Sequence, residues 1–345
     1  MKKNLILFCV SIIAGLFLLE LLIRVFNLSP PTVNYIGYFR LIDNPKIMYE
    51  LIPGSLVDGG IVNKQGFRDK RDFIIKKPKN VVRIAMLGDS IIQGLGVSID
   101  STFSSQLENI LNQEVVTKKS NLRYEVMNFG VGGYNLEAEV ETLRLKVLQY
   151  DPDVVIFNLF YNDNDPMPCL GGFFNDSNDT KQKIYLMQKY AYNHNSPVEN
   201  LIRKMLFKSE LYIFLRERIS NLNAYKRKIS TLEQRCASSD WGMESISQGF
   251  SEIKRLGLEY HFKLLICIHS HLLFGEHPNN KKFADISQSI QVPYFHMIGY
   301  YKKEGVGPDM LRLKDNKKDM CHPNNLGHEI IAKAMLIELR KYNYL

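Results

Sequence analysis

The run Val81-Val82-Arg83-Ile84-Ala85-Met86-Leu87, followed at once by Gly88-Asp89-Ser90, decides how this chain is read. It is short, apolar and partly β-branched, and Lys76-Lys77-Pro78-Lys79 precedes it, so it reads as a strand buried on both faces of a parallel sheet. Four more runs have the same character: Tyr124 to Phe129, Asp153 to Phe160, Lys263 to Ile268 and Pro293 to Ile298. Helical patterns stand between them, with Leu136, Val140, Leu143 and Val147 on one face and a second helix around Ile246 to Leu258. Strands alternating with helices imply βαβ units and an α/β fold with helices on both sides of the sheet. Ligands of such folds bind at the carboxyl ends of the strands, so the polar strand ends are where chemistry is expected.

Leu5 to Phe26 is an apolar run broken only by Glu20 and Arg24, long enough to cross a hydrocarbon core of roughly 30 Å. The run leads through bulky side chains into Asn27-Leu28-Ser29-Pro30 without a small-residue cleavage site, which favours a retained anchor over residues 1–28. Lys2 and Lys3 precede it, placing the amino terminus in the cytoplasm and the catalytic body on the extracytoplasmic side. Residues 29–80 are punctuated by proline and glycine and suggest turns and short edge strands, with no evident chemistry. Residues 81–345 form the main domain. Within it, about 164–243 breaks the strand-helix rhythm and reads as an inserted helical subdomain.

The formal charge of +8 is local. Lys181 to Arg235 holds twelve Lys or Arg against four Glu, so the rest of the chain is close to neutral. Charge confined to an insertion without a binding motif argues against nucleic acid and allows an anionic surface or polymer. Five cysteines show no CxxC spacing and no Cys/His cluster, so neither a metal nor another cofactor is expected. Cys267 falls in a buried strand and Cys9 in the apolar amino terminus, whereas Cys169 and Cys236 flank the basic region and could pair outside the cytoplasm.

Ser90 sits where a strand turns toward a helix, a place that presents a hydroxyl beside free backbone N–H groups, as an acyl-transfer nucleophile needs. Near the carboxyl terminus, Asp319 precedes His322 by three residues on a loop stiffened by Pro323. An aspartate so placed can hold the imidazole tautomer whose other nitrogen takes the serine proton. His328 falls inside the last predicted helix and reads as structural. A tetrahedral oxyanion would need donors, and Gly133 and Asn162 are the candidates: Gly133 in Gly130-Val131-Gly132-Gly133, Asn162 at the third strand end.

In this order the motifs resemble those of the SGNH hydrolase family, the GDSL-like lipases and esterases. Gly88-Asp89-Ser90-Ile91 matches the first block, with Ile where the family name has Leu. Asn128 to Gly133 matches the second, Asn162-Asp163 the third, and Asp319 to His322 the last. The resemblance covers residues 81 to about 340. It implies a flavodoxin-like three-layer sandwich with a five-stranded parallel sheet, Ser90, His322 and Asp319 as catalytic residues, and an oxyanion hole of Ser90, Gly133 and Asn162. It also implies no metal and a Ser-acyl intermediate. Phe160 departs from the pattern, standing where the third block usually has Gly, and is expected to crowd the space by Asn162.

The function expected is a membrane-anchored serine esterase acting on an acylated glycan or lipid of the cell envelope. The same acyl-enzyme serves acyltransferases, and a silent glycan-binding module is a rival from another class.

Overall fold

The computed structural model describes residues 2–26, 38–164, 239–270, 275–345 and the single positions 209, 211 and 215, apart from 43, 45, 48, 276, 314–318 and 320. The chain divides into two compact units, one of residues 1–37 with 175–233 and one of 38–174 with 234–345.

In the first unit, α1 runs from Lys2 to Val25, a helix of 24 residues. Its two charges near the end compensate each other: Arg24 lies 2.6 Å from a Glu20 carboxylate oxygen. The other Glu20 oxygen accepts from the Ser209 hydroxyl and the Leu211 N–H at 2.8 Å each. Among the described residues no helix is long and apolar enough to cross a membrane. The expected transmembrane span is therefore not established by α1. Most of the expected insertion at 164–243, with Cys169 and Cys236, lies outside the described residues.

The second unit begins with two small antiparallel pairs, β1 (Phe39–Leu41) with β2 (Tyr49–Leu51) and β3 (Leu56–Val57) with β4 (Gly60–Ile61). These are the short strands expected between 29 and 80, but they form sheets of their own rather than edges of the main one. The main elements follow in order: β5 (Val81–Gly88), α2 (Ser90–Gln93), α3 (Phe103–Thr117), β6 (Arg123–Asn128), α4 (Leu136–Thr142) and β7 (Val154–Leu159). Then come α5 (Ser239–Tyr260), β8 (Lys263–Ile268), α6 (Pro278–Ser289), β9 (Tyr294–His296), α7 (Met297–Lys303), α8 (Pro308–Leu311) and α9 (Asn325–Lys341). Five strands make one sheet in the order β6-β5-β7-β8-β9, every pairing parallel. This is the expected α/β sheet. The fifth strand is shorter than read from the sequence, because Met297 and Ile298 already belong to α7.

The sheet is buried on both faces. Ile84 and Met86 join Phe103, Leu107 and Leu111 of α3 and Ile331 and Met335 of α9 in one apolar cluster. Ala85 and Leu87 are equally buried and, by the two-residue alternation of a strand, point to the opposite face. All six residues of β7 are buried, as the centre of a covered parallel sheet requires. Because β6 lies on one side of β5 and β7 on the other, the winding of the sheet reverses between β5 and β7, and the carboxyl ends of these two strands are where folds of this kind bind ligands.

A buried arginine locks the turn that leaves β5. Arg68 is fully buried and donates to the carbonyls of Val57, Asp58, Gln93, Gly94 and Val97 at 2.5 to 3.0 Å. The segment around residues 55–75 thereby holds α2 in place. Removing the guanidinium strands several buried carbonyls, each costing about 1–3 kcal/mol. Arg68→Ala should therefore lower unfolding free energy by roughly 3 kcal/mol or more, read from urea melts; a loss below about 0.5 kcal/mol would show that the carbonyls find other donors.

Candidate active site

β5 delivers Ser90 at its carboxyl end, and Asp89 shapes the turn. The Asp89 carboxylate caps α2 by accepting from the Ile91 N–H at 2.9 Å, while Ser90 heads the helix, where first-turn N–H groups have no partner within it. α2 stops after one turn at Gly94, whose φ is 77°.

The last loop comes to Ser90 from the other end of the chain. Asn324 pins it, donating to the carbonyls of Met310 and Arg312 at 2.8 Å and capping α9 through the Gly327 N–H at 3.1 Å. His322 Nε2 then lies 2.8 Å from Ser90 Oγ, and His322 Nδ1 lies 2.7 Å from Asp319 Oδ2. The second Asp319 oxygen accepts the N–H groups of Cys321 and His322 at 2.9 Å each. With one oxygen anchored to the backbone and the other on the imidazole, the aspartate sets both orientation and tautomer. The bonds to His322 and the two N–H groups outweigh burial and hold the Asp319 carboxyl below its ordinary value. Burial pushes the neighbouring Cys321 thiol up to about 12, so it is protonated at neutral pH.

The glycine loop after β6 is tied to the nucleophile turn. Val131 N–H donates to the Gly88 carbonyl at 3.1 Å, and Gly132 N–H to the Gln93 side chain at 2.6 Å. Asn128 closes the loop, accepting from Gly130 N–H at 2.9 Å and donating to the Ile92 carbonyl at 2.7 Å. Gly133 has φ of 79°, and a Cβ there would lie 2.6 Å from the Tyr49 hydroxyl, so both backbone and space call for glycine. Its N–H has no acceptor among the described residues. Asn162 stands in the turn after β7, closed by Asp163, whose carboxylate accepts from Phe160 N–H at 2.6 Å. Asn279 steadies that turn from α6 by donating to the Tyr161 carbonyl at 2.7 Å.

The expected crowding by Phe160 is corrected. Phe160 is only 4% exposed and belongs to the sheet-helix core, and the half-buried Tyr161 ring packs at a tilt against it at 4.6 Å and against His277 at 4.9 Å. His328 is fully buried in α9, stacked on Phe103 at 5.6 Å and accepting that residue's N–H at 3.2 Å, as a structural histidine. Cys267 packs in β8 as expected, with His269 beside it at 3.4 Å.

The sequence reading passed over the supports. Arg68, Tyr49 and Asp69 come from the stretch that seemed without chemistry. Asp69 accepts from Asn128 N–H at 3.1 Å, and Tyr49 donates to the Gly132 carbonyl at 2.8 Å. Glu139 left a trace, being a charged residue three positions after Leu136 on the apolar face of α4.

The sequence matches no family model, and it matches no curated protein. Among solved structures, the chain is similar to a two-domain esterase active on acetylated mannans, with 15% identity over 76% of this chain and 49% of that one and a TM-score of 0.43. It thus spans about half the length of that protein. It is also similar to a catalytic mutant of Axe2, an acetylxylan esterase from Geobacillus stearothermophilus (13% identity, 75% of this chain and 94% of that one, TM-score 0.43). A third is TesA (12% identity, 76% and 99%, TM-score 0.41). In this structure Ser90, His322 and Asp319 form one hydrogen-bonded chain at the carboxyl ends of the parallel strands.

Burial lowers both His269 and His328 to about 3. Between their ordinary value near 6.5 and about 3 the unfolded chain therefore binds more protons at these two positions, so their contribution to stability falls as pH falls. Asp69 opposes them, because burial raises its carboxyl to about 6 and the folded state binds the extra proton between about 4 and 6. The clean readout is a difference between proteins: His328→Gln should lose less unfolding free energy than wild type on going from pH 7 to pH 4.5. Equal losses would mean that His328 is protonated in the folded protein.

Proposed function

We propose that this protein is a membrane-anchored serine esterase that removes an acetyl or other short O-acyl group from a carbohydrate or lipid of the cell envelope. The observation that carries the reading is the hydrogen-bonded chain Ser90–His322–Asp319, at 2.8 and 2.7 Å.

In the mechanism proposed, neutral His322 takes the Ser90 proton through Nε2 as Oγ attacks the ester carbonyl. The imidazolium is held by Asp319. The Ser90 and Gly133 N–H groups and the Asn162 amide receive the oxyanion. His322 then protonates the leaving alcohol, and water attacks the acyl-serine with His322 again as base. A sugar hydroxyl in place of water would make the same intermediate an acyltransferase.

A small acyl group is favoured because Ser90 and His322 are each only 8% exposed, leaving little room beside the nucleophile. An envelope substrate is favoured by α1, whose outward side chains include Phe8, Ile13 and Phe17. The catalytic unit then faces the extracytoplasmic side.

Two measurements on the full-length protein in detergent test the reading. A fluorophosphonate should label wild type and not Ser90→Ala, and p-nitrophenyl acetate should be cleaved faster than long-chain esters. An unlabelled but folded wild type would point to a silent binding module. Asn162→Ala should lower kcat by roughly 100- to 1,000-fold with its melting temperature unaltered, and full activity in that variant would remove Asn162 from the oxyanion hole.

A further inference from the structure

Three buried carboxyls, those of Asp89, Asp163 and Glu139, belong to the turn of Ser90, the turn of Asn162 and α4, the helix that follows the glycine loop. α4 is bonded to the Asn162 turn at its start, where Leu136 N–H meets the Asp163 carbonyl at 3.3 Å. Glu139 comes one helical turn later, on the same face.

Glu139 is completely buried, and neither carboxyl oxygen has a hydrogen-bond partner among the described residues. The Asn162 Oδ1 is likewise buried without a partner among them. An isolated ionised carboxylate in such a place is strongly disfavoured, and two neighbouring carboxylates make it more so. Asp89 and Asp163 each accept a backbone N–H, from Ile91 at 2.9 Å and Phe160 at 2.6 Å, a bond to the charged form that for Asp89 offsets only part of the upward push of burial. Glu139 accepts none. Burial first, then Asp163 and Asp89, push its carboxyl well above the ordinary range.

We propose that Glu139 is a neutral carboxylic acid whose O–H donates to this group of acceptors, and that it acts as a positioning residue joining the turn of Ser90 to the turn of Asn162. The proton stays on Glu139 throughout the reaction. What it supplies is a fixed spacing between nucleophile and oxyanion donor. The catalytic part of the proposal rests on the hydrolase reading above, while the protonation does not.

The first test is therefore independent of activity: the infrared difference spectrum of wild type minus Glu139→Gln at neutral pH. The carbonyl stretch of a protonated carboxylic acid is expected; a carboxylate band in its place overturns the proposal, whether or not the protein is a hydrolase. The second test is kinetic. Glu139→Ala should lower kcat by roughly 10- to 100-fold with KM within about twofold, and Glu139→Gln, which keeps a neutral donor, should recover kcat to within about threefold of wild type. Wild-type turnover in Glu139→Ala, or a folded Glu139→Gln as impaired as Glu139→Ala, overturns the positioning role.

Discussion

The hydrogen bond between Ser90 Oγ and His322 Nε2 joins residues 232 positions apart, and much of the fold is arranged to make it. β5 must end where it does to present Ser90, and α9 must be docked for the loop before it to arrive. Asn324 connects the two requirements, since it caps α9 and ties the His322 loop to Met310 and Arg312. A bond between two side chains is worth little net free energy by itself. Its length here reflects rigid elements on both sides, which cost nothing further to organise when a substrate arrives.

Polar groups at the carboxyl ends of the strands set the second constraint. A parallel sheet covered on both faces leaves no water to satisfy them, so the turns after β5, β6 and β7 satisfy one another: Val131 with Gly88, Gly132 with Gln93, Asn128 with Ile92, Phe160 with Asp163. Arg68 extends this network from outside the sheet, closing five carbonyls with one guanidinium. The segment before β5, which carries no catalytic residue, is thus structurally part of the site. Buried acids are a consequence of the same crowding. Burial raises the Asp89 carboxyl even though it accepts the Ile91 N–H, and where no N–H donor is left, Glu139 is pushed further still toward its neutral form.

All five strands of the sheet could be read from apolar runs because a doubly covered strand has no polar face to confuse the period. Ser90, His322, Asp319, Gly133 and Asn162 could be picked out because each occupies a strand end or a terminal loop in a recognisable order. Phe160 misled for the opposite reason. One position before a turn, alternation does not say whether a ring faces the site or the core, and packing against the sheet-helix cluster decided it.

By itself the sequence determined the class of fold and the polar strand ends where Ser90 and Asn162 lie, since periodicity and glycine placement are local properties that act over a few residues. Only the tertiary structure decided which distant groups meet. The roles of Arg68, Asp69, Tyr49 and Glu139 depend on contacts between elements far apart in the chain, and no local pattern encodes whether a buried charge will find a partner there or have to keep its proton.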